Sequence, residues 1–179
     1  MPYTPIHCSV AYLATQFGPK LSLPALLVST MAPDLEIPFL YVATSGHYSR
    51  LVLHSFFGSI TLATMLSVIL VVFAYPSVVS FIFKIDYKTV KAKCRFSRSI
   101  VALCFMGSLS HVLIDALHHE YNPLFFPFTY ISFDALVLMN DWVLASVIIP
   151  IAFLSLLVLF VVIELRKGTK DIWRRLLVE

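Results

Sequence analysis

The most unusual stretch of the sequence places ionisable side chains at the end of an apolar segment, residues 107–123. His111, Asp115 and His118 lie there at i, i+4 and i+7, positions that share one face of an α-helix with 3.6 residues per turn. The membrane interface alone would explain His118 or His119. An Asp inside a transmembrane helix, however, costs about 2.5–3.5 kcal/mol on insertion scales, so a purely structural role explains Asp115 poorly. The pattern therefore favours a functional site, with three potential metal ligands pointing the same way.

The composition indicates a membrane protein. The 179 residues are 59% hydrophobic and the mean hydropathy is +0.89, which is too apolar for a soluble domain. We predict a single integral-membrane domain over 1–179, made of an N-terminal hairpin and interfacial segment (1–50), a transmembrane core (51–165) and a basic amphipathic tail (166–179). Cys8, Cys94 and Cys104 show no paired spacing, so no structural disulfide is expected.

The N-terminal region contains two apolar pieces, 5–17 and 21–34, separated by Gly18-Pro19-Lys20. Neither piece reaches the roughly 20 residues that a helix needs to cross a hydrocarbon core of about 30 Å. We expect a helical hairpin that enters the membrane after His7, turns at Lys20 and returns to the same surface at Asp34. A soluble or interfacial hairpin is the alternative. In both cases His7 and Asp34 become neighbours.

Three segments are long and apolar enough to cross a membrane, namely 51–74, 99–117 and 142–163. The first carries His54 one turn from its start and is followed by Pro76. Gly58 and Gly107, one turn deeper than His54 and His111, would let these helices approach closely. The predicted fold is all-α, a polytopic membrane helical bundle with about three full transmembrane spans plus the N-terminal hairpin, capped by an aromatic segment at the interface.

The charged residues divide between the two membrane surfaces. On this topology twelve of the thirteen Lys and Arg fall on one side, with Arg50 as the exception, and the positive-inside tendency makes that side cytoplasmic. The basic loop and the C-terminus are thus expected in the cytoplasm and the protein in the inner (plasma) membrane. The opposite side receives every histidine and most acids: His7, His47, His54, His111, His118, His119, Asp34, Glu36, Asp115, Glu120, Asp134 and Asp141.

This segregation predicts one composite site near the non-cytoplasmic surface. Nitrogen and oxygen ligands without thiolate suit zinc, manganese, nickel or iron, and we expect zinc. The candidates exceed the needs of one tetrahedral ion, so either some act in the second shell or two ions bind. Asp34 or Glu36 could serve as general base, but Glu36 is better explained as a solvated loop acid, and His47 as an exposed histidine. The candidate ligands are His7, Asp34, His54, His111, Asp115 and His118.

Four short motifs, PYTPIH, STMAPDLE, LHSFFGS and GSLSHVLIDALHH, resemble in order those of small integral-membrane proteins known as predicted metal-dependent hydrolases. That family includes the LexA-binding inner-membrane hydrolase, and the resemblance covers about residues 2–119. It implies ligand roles for His7, Asp34, His54, His111 and Asp115, with His118 where the family often has a polar residue or His. The family's distant likeness to zinc-dependent phospholipase C implies phosphoester substrates. The chain lacks the Arg-Gly-x-Thr that precedes His-Ser in the LexA-binding branch, which places it in another branch.

These observations predict a membrane-embedded metal-dependent hydrolase in which a metal-activated water attacks a lipid or phosphoester, with Asp34 as the catalytic residue. Two alternatives stay open: an ion- or proton-coupled transporter, and a non-catalytic membrane protein with a structural metal. We expect the lipid bilayer as the partner, possible oligomers, and no nucleic-acid partner.

Overall fold

The computed structural model describes residues 4–18 and 21–179, and in this part of the chain all regular secondary structure is helical, as predicted. Three helices among these residues are long and apolar enough to span a membrane: Phe56–Phe83, Arg98–Ala116 and Trp142–Arg166. Short 3₁₀ helices occur at Thr4–His7, Ala32–Leu35 and Leu138–Asn140. The longer helices are α1 Cys8–Phe17, α2 Leu23–Ser29, α3 Glu36–Ala43, α4 Phe56–Phe83, α5 Tyr87–Lys93, α6 Arg98–Ala116, α7 Trp142–Arg166 and α8 Ile172–Leu177.

The predicted N-terminal hairpin is present as α1 packed on α2, although the turn predicted at Lys20 lies outside the described residues. Ser22 caps α2 by accepting a hydrogen bond from the N–H of Ala25 at 3.4 Å. The chain then bends by 43° into Ala32–Ala43, and the pair fits either a broken span or a re-entrant loop by length and composition. This bend brings Asp34 to the end of the bundle at which α4 begins, beside His54.

The first long helix, α4, differs from its predicted bounds at both ends. It begins at Phe56 rather than residue 51, because Ser55 caps it by accepting a hydrogen bond from the N–H of Gly58 at 2.9 Å. His54 therefore lies in the preceding turn and not inside the helix. The helix also continues past Pro76 to Phe83.

A side chain from outside α4 compensates for Pro76. Proline has no N–H, so the carbonyl four residues earlier, that of Val72, loses its helical partner. The Nζ of Lys91, on α5, donates to this carbonyl at 2.6 Å. Residues Leu70–Ala74 form a π-helical turn that accommodates the change. The sequence pattern predicts a helix end at residue 74, just before Pro76, because the pattern does not show this tertiary hydrogen bond.

Gly58 and Gly107 both lie in tight packing. The prediction was that they let their two helices approach each other, but each glycine contacts a different part of the chain. A Cβ on Gly107 of α6 would lie 1.9 Å from the Oγ of Ser29, so this glycine permits close contact with α2. A Cβ on Gly58 would lie 1.7 Å from the carbonyl oxygen of Val52, within the turn that precedes α4. Gly107 thus fixes the depth at which the hairpin packs on α6.

The C-terminal tail packs on the end of the bundle that carries the basic loop. The hydroxyls of Tyr12 and Tyr75 donate to the carbonyls of Leu176 and Leu177, each at 2.7 Å, and Val178 is only 1% exposed. Part of the tail's apolar surface is therefore buried in the protein. Trp173 remains 52% exposed.

The aromatic segment between α6 and α7 is irregular, as predicted, and closes the opposite end. The N–H of Phe56 donates to the carbonyl of Leu124 at 2.9 Å, which ties this segment to the start of α4. The N–H of Leu138 donates to the carbonyl of Leu117, also at 2.9 Å.

Candidate metal centre

Three separate parts of the chain bring ionisable side chains to one point at the end of the bundle. Asp34 comes from the 3₁₀ turn after α2, and His54 from the turn before α4. His111 and Asp115 lie one turn apart on α6, so both side chains face the same side of that helix. We call these residues the four-residue cluster. Each is at most 8% exposed, and one ligand atom from each lies within 4.8 Å of the others.

The distances from the two imidazoles to each other and to the two carboxylates are similar. The Nε2 of His54 lies 3.4 Å from Oδ1 of Asp34 and 3.4 Å from Oδ2 of Asp115. The Nε2 of His111 lies 3.5 Å and 3.4 Å from the same two oxygens. The two Nε2 atoms are 3.3 Å apart.

These spacings fit a tetrahedral metal ion. Bonds of about 2.0–2.1 Å in a tetrahedral zinc site would hold the ligand atoms about 3.3–3.4 Å apart. Two imidazoles and two carboxylates also form a donor set that zinc and several other divalent metals accept. The four-residue cluster could therefore hold a divalent cation.

Each histidine of the cluster is oriented by a hydrogen bond at its other ring nitrogen. The Nδ1–H of His54 donates to Oε1 of Glu36 at 2.7 Å, and the Nδ1–H of His111 donates to the carbonyl of Thr30 at 2.8 Å. These bonds leave both Nε2 atoms facing the centre, the arrangement common among metal-binding histidines.

The position of Glu36 corrects the expectation of a solvated loop acid. Glu36 is 8% exposed and also accepts hydrogen bonds from the N–H groups of Leu51 at 2.9 Å and Leu53 at 2.8 Å. It thus holds the backbone on the N-terminal side of His54 as well as its ring. The sequence could not show this, because residues 36 and 51–54 meet only through the fold.

His7 and Asp115 extend the site to one side. The Nε2 of His7 lies 3.2 Å from Oδ1 of Asp115, and its ring lies 4.1 Å from the ring of His111 between centroids. The Nε2 of His119 approaches the same Oδ1 at 3.5 Å. Asp115 therefore directs one oxygen to the four-residue cluster and the other to His7 and His119.

His118 is buried and lies beyond the end of α6, whereas the prediction extends the helix to it. α6 ends at Ala116, and the N–H groups of His118 and His119 both donate to the carbonyl of Asp115, at 3.1 and 3.0 Å. The turn brings His118 together with Asp115 and His119 in a second possible metal-binding group. The sequence pattern assumed a continuous helix and missed this break.

The charge environment differs between the histidines. Burial lowers the pKa of His54, but its hydrogen bonds with Asp115, Asp34 and Glu36 outweigh burial and raise the pKa to about 10. Burial lowers the pKa of His119 to about 4, although Asp115 opposes the shift. A positive charge is thus favoured at the centre of the cluster, whereas His119 is neutral at pH 7.

Sequence reasoning did not assign a role to Arg50, although its isolation from all other basic residues was visible. Its Nη2 lies 3.6 Å from Oδ2 of Asp115, and its side chain is 11% exposed. The sequence pattern explains His119 as an interfacial residue. It also does not indicate that the backbone carbonyl of Thr30 orients His111. His47 is exposed, as predicted, and its Nδ1 contacts only the nearby carbonyl of Thr44 at 2.8 Å.

The fold and the site together define a polytopic helical membrane protein with a buried His/Asp cluster. The family model for the YdjM inner membrane protein matches residues 6–171. The chain therefore belongs to this family of inner-membrane proteins, the group that its sequence motifs resemble. Neither the curated proteins nor the solved structures give a match.

Proposed function

We propose that the protein is a metal-dependent hydrolase of the membrane, acting on a lipid or phosphoester near the non-cytoplasmic surface. The observation that carries this proposal is that four donor atoms from three distant segments converge, with each Nε2 3.3–3.5 Å from the other Nε2 and from both carboxylate oxygens. Such a burial of two carboxylates and two imidazoles is costly unless a cation or a proton compensates the charge.

Asp34, His54, His111 and Asp115 would hold the metal, and zinc suits them best. A bound divalent ion of this kind supplies a Lewis acid and a coordinated water of lowered pKa. Without a cation, the carboxylates around His54 keep a proton on its ring, as its raised pKa indicates. His54 would release that proton on metal binding, while its Nδ1–H stays bonded to Glu36.

Of the two acids considered as general base, Asp34 is the better candidate. Glu36 already accepts three hydrogen bonds, from His54, Leu51 and Leu53, and serves as a positioning residue. Asp34 borders a cavity that opens on the side of the bundle, so it can meet a substrate bound there.

The distribution of charge supports an outward-facing site. The loop between α4 and α6 and the tail after α7 carry most of the basic residues, at the helix ends remote from the four-residue cluster. The positive-inside tendency supports a cytoplasmic location for that end and an outward-facing site.

The first test is elemental analysis of detergent-purified protein. Wild type and His47→Ala, the exposed-histidine control, should contain zinc in proportion to protein, whereas His111→Ala should lose most of it. Turnover of phosphatidylglycerol vesicles and of a soluble chromogenic phosphodiester should stop on chelation and return with zinc. Asp34→Asn should lose turnover while remaining folded.

The alternatives give different results. A structural metal would make chelation lower the melting temperature with no turnover to lose. A carrier would move ions in proteoliposomes without hydrolysis. Protein that binds no divalent metal under any loading condition contradicts the proposal.

A further inference from the structure

A cavity on the lateral side of the bundle begins at Asp34 of the four-residue cluster and runs along α2 and α4. Its volume is about 310 Å³, within the range of small-molecule sites. Asp34 is the sole charged residue among the described residues that line it. The others are apolar: Leu27, Val28, Met31, Ala32, Leu35 and Leu70. We call this cavity the apolar groove.

The apolar groove lies at the depth of lipid chains. Leu70 comes 14 residues after Phe56 on α4, about 21 Å along the axis at 1.5 Å per residue, within a hydrocarbon core of about 30 Å. The surface beside it is apolar, because Leu35, Ile69 and Phe73 are 45%, 47% and 72% exposed. At this depth the available occupant of an open groove is a hydrocarbon chain.

A second, polar cavity reaches the cluster from the outer end of the bundle. It has a volume of about 180 Å³ and is lined by Ser49, Arg50, His119, Glu120 and Tyr121. Arg50 and His119 both contact the carboxylate of Asp115, at 3.6 and 3.5 Å.

Arg50 is suited to bind an anionic group from this side. The buried Nε of its guanidinium has no hydrogen-bond partner in the described part of the chain, so the side chain retains donor capacity. Guanidinium groups bind phosphate oxygens through paired N–H donors. The cluster thus lies between an apolar cavity and a polar one that is lined by Arg50.

From this arrangement we propose that the protein binds an anionic membrane lipid, with one acyl chain in the apolar groove and the head group facing Arg50. The lipid would enter sideways from the outer leaflet. The bound lipid is a substrate only on the basis of the proposed function. The binding itself requires neither metal nor turnover.

Photo-crosslinking tests this binding directly. The full-length protein would be reconstituted in phosphatidylcholine vesicles containing phosphatidylglycerol with a diazirine in one acyl chain, and the labelled residues identified by mass spectrometry. We expect labelling concentrated on Val28, Met31 and Leu70, above that of the more exposed Val147 and Leu154 on α7.

Filling the groove provides the matched comparison. Val28→Trp should lose most of this labelling and keep its zinc content, while Ile69→Trp, on the lipid-facing side of α4, should retain it. If Val28→Trp does not fold, Leu70→Trp replaces it. Arg50→Gln should remove the preference for phosphatidylglycerol over an identically labelled phosphatidylcholine.

Two results would overturn the inference: labelling of the groove no stronger than that of α7, or groove labelling unchanged by the Trp substitution in folded protein. A protein that lacks zinc or turnover but labels in the groove would contradict the proposed hydrolase alone. A zinc-containing, active protein with no groove labelling would contradict the lipid inference alone.

Discussion

Asp115 connects the two halves of the candidate metal centre through a single carboxylate. Its Oδ2 lies 3.4 Å from the Nε2 atoms of both His54 and His111, and its Oδ1 lies 3.2 Å from His7. A carboxylate with ligands on both sides can serve one ion or bridge two. The number of ions bound per protein therefore depends on whether His7 and His119 act as ligands.

Glu36 should matter for metal affinity although it is not in the four-residue cluster. In Glu36→Gln the side chain keeps its shape but loses the charge that fixes the Nδ1–H of His54. Loss of such a partner typically weakens metal binding by about 10–100-fold. We expect this loss in zinc competition against a chromogenic chelator.

The control for this prediction is Glu120→Gln, because Glu120 is an exposed acid near the same end of the bundle. Its zinc affinity should match that of wild type. Equal affinities for Glu36→Gln and wild type would show that the hydrogen bond does not orient His54 for binding.

At the level of elements, the hairpin and α6 position the site together. Thr30, directly after α2, supplies the carbonyl that orients His111, and the close approach of Ser29 to Gly107 sets how α2 packs on α6. Since Ser29 and Thr30 are adjacent, a shift of α2 at Gly107 also moves the hydrogen bond to His111.

Gly107→Ala should therefore affect both stability and metal binding. The new methyl would overlap the Oγ of Ser29, and overpacking of this kind costs about 1–3 kcal/mol. We expect a lower melting temperature in detergent and weaker zinc binding. Met106→Ala, at a 57% exposed position on the same helix, should change neither much.

A second substitution checks the cause. Ser29→Gly removes both side-chain atoms that the methyl would meet, so Gly107→Ala combined with Ser29→Gly should recover part of the lost stability. If the double variant is no better than Gly107→Ala alone, the overlap with Ser29 is not the reason for the loss.

For the whole molecule, the orientation in the membrane is the main prediction. An impermeant maleimide added to intact cells should label His47→Cys, at the site end, but not Lys88→Cys, in the basic loop. Permeabilised cells should show labelling of both. The protein's own thiols are a small background, since Cys94 and Cys104 are buried and Cys8 is partly buried. The reverse pattern would place the site in the cytoplasm.

Much of this molecule could be predicted from its sequence. Long apolar runs fix helices that can cross a membrane, since span length and composition are local properties. The i, i+4 spacing of His111 and Asp115 likewise fixes their common face on one helix. The motif pattern correctly indicated the family, and the N-terminal hairpin with its neighbours His7 and Asp34 followed from segment lengths.

Only the tertiary structure decided how these parts meet. It buried Glu36 beside His54, ended α6 at Ala116, before His118, continued α4 past Pro76 with a hydrogen bond from Lys91, and formed a groove at Asp34. Each of these features depends on contacts between segments far apart in the chain. Residue periodicity shows which side of a helix faces inward, but close packing of side chains determines which atoms it meets there.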